Sequence, residues 1–398
     1  MKRVLHNSVI LPVYLPSIIF AFSQSMLIPV MPLYVLSFDI SYSIVGIVLA
    51  CTGLGMLLSD VPAGMLIRRL GMKWTMVLGI VTVIFSTMAL FWAHTIPEVI
   101  VYRLLTGFGM ALYSVSRHTY MAENIILEGR GRAIALFGGI NRIGRFAGPA
   151  VGGIIATAYG LRVPLLWVGF IEIVALMAVI FFVRTDKDTR PVGLPEASSG
   201  SSIFFTTLKA HYRVFATAGS GQLFAQMIRA GRGVIIPLYA AGIIGLDVQE
   251  IGLIISIAAA IDMLLFYPTG IIMDRYGRKF AIVPSFFLQA VGMCLVPFTE
   301  SFTGLMAATM LIGFGNGLGS GVMMTLGADL APEDSRGEFL GMWRLIGDSG
   351  FTGAPLLVGG IADLIGLSMS AWALSGAGMI AVFIFLFWVP ETLKKRRR

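Results

Sequence analysis

The 398-residue sequence predicts an all-α membrane protein, with twelve transmembrane helices in two pseudo-symmetric six-helix bundles. Three features predict it: a chain 57% hydrophobic and only 13% charged, long aliphatic runs, and an internal repeat at constant offset. Soluble domains carry about 25% charged residues, so the composition already points to lipid. Residues 74–92, 165–183 and 370–388 are nearly free of charge. Each matches the roughly 20 residues that a bilayer requires.

Spans are expected, in order, at 8–36, 43–67, 74–93, 99–121, 133–158 and 164–183, then 213–243, 248–273, 280–299, 303–328, 339–361 and 370–390. The apolar run after the basic stretch 1–7 continues to residue 36, too long for a cleaved signal core, so it reads as the first span. The longest loop mixes charge with Pro191, Pro195 and serines. It is expected to be a cytoplasmic linker, 184–212, between bundles 1–183 and 213–398. Of 29 Lys and Arg residues, 21 lie in the two tails or the even-numbered loops when Arg213, at the edge of the seventh span, is counted with the linker, and only Arg162 lies in the opposite loops. That asymmetry puts both termini in the cytoplasm. The terminal Lys-Lys-Arg-Arg-Arg then reads as an anchor beside anionic lipid, and the net charge of +8 does not call for nucleic acid. Cys51 and Cys294 both sit in apolar runs, so neither a disulfide framework nor a metal is expected. No asparagine forms a glycosylation sequon, which favours a bacterial cytoplasmic (inner) membrane.

An offset of 206 superimposes the halves. Pro62-Ala-Gly-Met-Leu-Ile-Arg-Arg-Leu-Gly-Met-Lys73 matches Pro268-Thr-Gly-Ile-Ile-Met-Asp-Arg-Tyr-Gly-Arg-Lys279. Gly107 and Gly109 match Gly313 and Gly315, Gly144 matches Gly350, and Pro149 matches Pro355. Pro32-Leu-Tyr34 recurs as Pro237-Leu-Tyr239 at offset 205. Such repeats are the signature of transporters whose halves rock about a midplane site; a channel is the competing architecture.

On these residues a resemblance emerges. Gly270-x-x-x-Asp274-Arg275-x-Gly277-Arg278-Lys279 resembles the loop motif of the major facilitator superfamily, and Arg103-x-x-x-Gly107-x-Gly109 its fourth-helix motif. Gly144-x-x-x-Gly148-Pro149-x-x-Gly152-Gly153 is similar to the antiporter motif of its drug–proton exchangers. The resemblance implies two six-helix bundles around a cavity open alternately to each side. The first loop departs from the pattern, because Arg68 stands where the family has an aspartate. Arg68 and Asp274 are equivalent positions, as are Arg132 and Glu338. With the contacts the family implies, Asp274 pairs with Arg132 and Arg68 with Glu338, a gate whose charges are exchanged between halves. Near-surface pairs contribute about 0–1 kcal/mol, enough to bias a gate but not to lock it. Plain positive-inside decoration is the alternative.

Arg103, Arg117, Arg142, Arg145, Arg229, Arg232 and Arg344 fall well inside spans, accompanied at depth by Asp60, Glu172, Asp262 and Asp348. Charges at that depth cost at least a few kcal/mol, so they pair, face a cavity or carry function. Asp60 and Arg344 each lie about 12 Å inside their helix ends, Asp262 and Arg142 about 18 Å. The implied fold makes Asp60–Arg344 and Asp262–Arg142 candidate pairs, with Arg344–Asp348, four apart on one helix, competing. Glu172 completes the acids available for proton coupling.

The arginine excess suits an anionic or zwitterionic solute. Arg229 and Arg232 share a face and form a candidate anion clamp. Alternatively they satisfy carbonyls in a helix broken at Gly231 and Gly233. Arg103, Arg145, Asn316 and Gln226 are further candidate cavity groups. The expected function is secondary active transport, proton-coupled efflux of amphiphilic or drug-like compounds. The alternative is transport of an organic anion or a phosphate or lipid headgroup, and a channel comes last. No nucleotide loop, spaced histidine cluster or nucleophile triad suggests an enzyme, and no cofactor is expected. The expected partners are a small-molecule substrate, protons and the lipid bilayer, with the chain acting as a monomer.

Overall fold

The computed structural model describes residues 10–124, 130–183 and 207–393. The basic ends 1–7 and 394–398 and most of the expected linker lie outside the described residues, as does the side chain of Arg132. Every regular element among the described residues is helical. In order they are α1 (Leu15–Leu36), α2 (Tyr42–Ala89), α3 (Ile96–Asn124), α4 (Arg130–Tyr159), α5 (Val163–Phe182) and α6 (Ser220–Tyr239). They continue with α7 (Val248–Arg275), α8 (Lys279–Leu295), α9 (Phe302–Leu318), α10 (Val322–Leu330), α11 (Arg336–Ile365) and α12 (Leu367–Phe383).

Eleven stretches of the described residues are long and apolar enough to cross a membrane. Helix α4, at 30 residues, reaches about 45 Å and supplies a twelfth. It carries Arg142 and Arg145, which dilute its hydropathy.

Three boundaries differ from expectation. The separator between the second and third spans, 68–73, shrinks to one residue inside α2. Gly71 turns the chain with φ +81° and ψ 165°, a conformation open to a residue without Cβ. The tenth span, expected unbroken over 303–328, is interrupted between α9 and α10, where Gly321 adopts φ +74°. Conversely, α6 runs unbroken through Gly231 and Gly233. A Cβ on Gly231 would lie 2.5 Å from Leu374, so this glycine makes room for packing and does not break a helix.

Two compact units emerge among the described residues. The first takes 10–40, 47–183 and 247–256; the second takes 41–46, 207–246 and 257–393. Lipid-like interiors give helices no hydrophobic reason to associate, so small residues and close backbone contact hold them. In the first unit, Cβ atoms on Gly144, Gly148 and Gly152 of α4 would strike Ile18, Ser25 and Met26 of α1. Gly107 of α3 abuts the Thr52 carbonyl, and a Cβ on Gly109 would lie 2.6 Å from the Gly79 carbonyl. The second unit repeats these contacts: Gly350 on Leu223, Gly313 on Ala258, and Gly315 on Ser285 at 2.8 Å. Their offsets are 206 throughout, except 205 for the partners on α1 and α6. The inserted residue therefore lies between Tyr239 and Ala258, after the partners on α6 and before the others, and leaves these contacts intact.

The unit boundary swaps two helix starts. The first turn of α2 belongs to the second unit, where Asp363 Oδ1 and Oδ2 accept from the Tyr42 and Ser43 amides, both at 2.8 Å. The first turn of α7 belongs to the first unit, where Thr157 Oγ1 accepts from the Gln249 amide at 3.0 Å. Residues 157 and 363 are again 206 apart. Each caps an otherwise orphaned helix N-terminus.

Candidate functional site

In the first unit, Arg103 sits half-buried on the membrane-spanning helix α3. Its Nε is sealed from solvent and has no hydrogen-bond partner, and no carboxylate pairs with it among the described residues. The buried Cys51 thiol is its titratable neighbour. Arg117, also on α3, lies with its guanidinium 5.0 Å from the Tyr113 ring centroid, and its Nη1 donates to Ser17 Oγ at 3.4 Å. Asp60 and Arg142 are half-buried, while Arg145 and Arg68 are exposed.

Glu172, at the middle of α5, is fully buried. Its Oε1 lies 3.0 Å from Ser23 Oγ and 2.5 Å from the Gln24 side-chain amide, both on α1. Its Oε2 is buried without a partner among the described residues.

In the second unit, several candidates converge on the break between α9 and α10. Arg229 Nη2 donates to the Gly319 carbonyl at 2.9 Å, with its guanidinium 4.9 Å from the Phe286 ring centroid. Ser320 Oγ donates to Asp262 Oδ1 at 3.3 Å, and Thr269 Oγ1 to the Gly317 carbonyl at 3.0 Å. An interrupted helix leaves backbone groups unsatisfied at membrane depth, and neighbouring side chains must complete them. Arg229 thus meets a carbonyl at Gly319, whereas the helix break expected at Gly231 and Gly233 does not occur. Arg232 and Gln226 lie half-buried on the same helix α6, and Asn316 is buried next to the break. Arg344 Nε donates to Asp348 Oδ2 at 3.3 Å within α11, the local pair that competed for this arginine.

The loop motif of the second unit is organised by Arg278. Its Nε donates to Asp329 Oδ2 at 2.9 Å, and its Nη1 to the Met273 carbonyl at 2.8 Å and Asp274 Oδ1 at 3.2 Å. Asp274 is otherwise largely solvent-facing, and Arg275 lies over Tyr276. Gly277, at φ +118°, brings the backbone against Glu391, where a Cβ would lie 2.6 Å from the carboxyl carbon. Glu391 accepts from the Arg278 and Lys279 amides at 2.9 and 3.0 Å. Partial burial acts to raise this carboxyl, but the backbone donors of Leu393, Lys279, Arg278 and Thr392 outweigh it and hold it below the ordinary range. Sequence reasoning missed Asp329, Glu391 and Thr392; the Pro390-Glu391-Thr392 run directly after the last span was the available signal. Glu338 is half-buried in the first turn of α11.

The sequence pattern of the Major Facilitator Superfamily matches residues 13–218 and 218–398. The chain belongs to this superfamily. A major facilitator fold follows, with its twelve helices and two repeated halves. Among relatives, the chain is 24% identical over 345 residues to an uncharacterized MFS-type transporter of Methanocaldococcus jannaschii, covering 85% of this chain and 87% of that protein. It is 23% identical over 363 residues to a probable nitrate transporter, NarT, of Staphylococcus aureus, covering 90% of each. Among solved structures it is similar to a D-xylose–proton symporter, with a TM-score of 0.75 at 17% identity over 97% of this chain and 98% of that one. A POT family transporter in complex with 5-aminolevulinic acid is similar at a TM-score of 0.79 and 13% identity, covering 96% of each chain. The protein is thus a multi-pass membrane transporter of small molecules whose fold is that of alternating-access carriers.

Proposed function

We propose that this facilitator carries a small inorganic or organic anion, and that Arg103 is the anion contact of its first unit. The observation that carries the reading is the guanidinium of Arg103, inside a membrane-spanning helix with no carboxylate to neutralise it among the described residues. Such a charge costs at least a few kcal/mol in place. A nitrate or carboxylate ligand, held bidentately, offsets that cost on binding. The similarity to probable nitrate transporters supports the same class of cargo. Arg229 is a weaker candidate than Arg103, because Gly319 already occupies one of its donors.

A second reading is proton-coupled efflux of amphiphilic compounds, favoured by the likeness of residues 144–153 to the antiporter motif. The close approach of Gly144, Gly148 and Gly152 to α1 accounts for these glycines whatever the direction of transport. For either reading we propose a monomer in a bacterial cytoplasmic membrane with both termini inside. The working halves are 1–183 and 213–398, joined by 184–212, and the exchanged loop charges Arg68 and Asp274 serve as gate elements.

Purified protein in proteoliposomes tests both. Uptake of nitrate or benzoate is expected to exceed that of the cation ethidium. Arg103→Gln is expected to lower anion uptake at least about tenfold, a loss of about 1.4 kcal/mol, with Arg103→Lys retaining part of it. Preference for the cation overturns the anion reading and favours efflux.

A further inference from the structure

Glu172 takes no part in the anion contact, yet it is a fully buried carboxyl in the middle of a membrane-spanning helix. Among the described residues no positive charge pairs with it. Helix α1, which supplies both hydrogen-bond partners, carries no charged residue. Helix α5 carries no other charge between Val163 and Phe182. The stretch of α2 packed on it, where Met88 meets Gly169, is uncharged from Trp74 to the helix end. The charged side chains on neighbouring elements include Arg142 and Arg145 of α4, Glu98, Arg103, Arg117 and Glu123 of α3, and Arg162 directly before α5. None of them is bonded to Glu172, whose bonded partners among the described residues are Ser23 and Gln24. Tyr14 and Tyr34 are the titratable groups flanking the seam, and Tyr34 is committed to the Leu90 carbonyl at 2.6 Å.

Hydrogen-bond accounting then assigns the proton. Ser23 has one hydroxyl hydrogen and two acceptors in reach, the Phe20 carbonyl and Glu172 Oε1, both at 3.0 Å. If that hydrogen goes to Phe20, as is usual for a serine in a helix, Ser23 Oγ can only accept, and Glu172 must donate. A neutral carboxyl has one hydrogen and both contacts fall on Oε1, so the Gln24 side-chain amide then donates to that same oxygen.

We propose that Glu172 is a proton-binding site, a neutral carboxylic acid that ties α5 to α1 through Ser23 and Gln24 and exchanges its proton during transport. Gln24 is half-buried and so connects the site to the outer surface of the seam. Losing the proton turns Ser23 away from Phe20 and towards donation and leaves an uncompensated anion, which favours separation of the two helices. The exchange during transport rests on the carrier reading above; the proton itself does not.

The experiment uses the full chain in lipid nanodiscs. Infrared spectra at neutral pH are expected to contain the carbonyl stretch of a protonated carboxylic acid that Glu172→Gln removes, while Ser23→Ala shifts it to higher frequency. Identical spectra for wild type and Glu172→Gln overturn the proposal. In proteoliposomes loaded with a pH-sensitive dye, nitrate entry is expected to carry protons in the wild type and not in Glu172→Gln. Nitrate entry without protons in the wild type overturns the exchange role and leaves the carrier reading standing. No movement of any anion overturns the carrier reading, and the infrared band still decides the proton site.

Discussion

The same seam is built twice in this molecule, once polar and once apolar. In the first unit α5 meets α1 through Glu172, Ser23 and Gln24. In the second, the repeat places Gly378, Ile228 and Arg229 at those positions. A Cβ on Gly378 would lie 2.5 Å from Ile228, so this seam closes by contact of a glycine with an aliphatic side chain. Arg229, the counterpart of Gln24, turns instead to the Gly319 carbonyl at the break between α9 and α10. The lesson is that the repeat conserves backbone packing while leaving side-chain chemistry free to diverge. One half can therefore hold a proton site where the other has only a close contact. The two loops teach the same thing: Gly71 has open space where its Cβ would be, whereas Gly277 is covered by Glu391.

The most severe way to break the comparison is to force the polar seam into the apolar half. Gly378→Glu introduces a carboxylate into space filled by Ile228 and Ala290, and a loss of roughly 4–5 kcal/mol is expected from overpacking and unpaired polarity. Size-exclusion chromatography should show little folded protein, with partial recovery when Ile228→Ser is added. Next, Glu172→Ala strands Ser23 and Gln24 and opens a void, with an expected loss of about 3 kcal/mol in thermal unfolding. Glu172→Gln, which keeps the shape, is expected to cost under about 1 kcal/mol.

A smaller effect is expected at the helix break. Arg229→Gln removes the donor to Gly319, with a loss of about 1.5 kcal/mol and faster amide exchange confined to residues 317–322. The smallest effect concerns the loops. Because Glu391 is held below the ordinary carboxylate range, its contribution is present above that range and disappears as pH falls through the lowered value. The protection factors of amides 276–280, which allow for the intrinsic slowing of exchange in acid, are expected to fall on acidification. Glu391→Gln should remove that dependence, and residues 70–74 around Gly71 should show none.

Much of this was legible in the sequence, for a reason rooted in the solvent. A bilayer demands long apolar helices with internal hydrogen bonding, so span number, the two-fold repeat and the one-residue slip between α1 and α6 could all be read from hydropathy and glycine spacing. The arginines and acids inside spans were legible as well, since each is exceptional against such a background.

Partnership was not. The four-residue spacing offered Arg344–Asp348 without deciding it against a partner on another helix, and whether Arg229 meets a carbonyl depends on which backbone groups a break exposes. Spacing alone decides neither. The break itself, at Gly319–Gly321, hid in a run of glycines indistinguishable by composition from those that merely pack. Sequence alone determined the class of molecule and where its unusual charges lie, because lipid penalises each residue separately. Only the tertiary structure decided which charges are satisfied, because hydrogen bonds between helices depend on angles and distances that no spacing rule encodes.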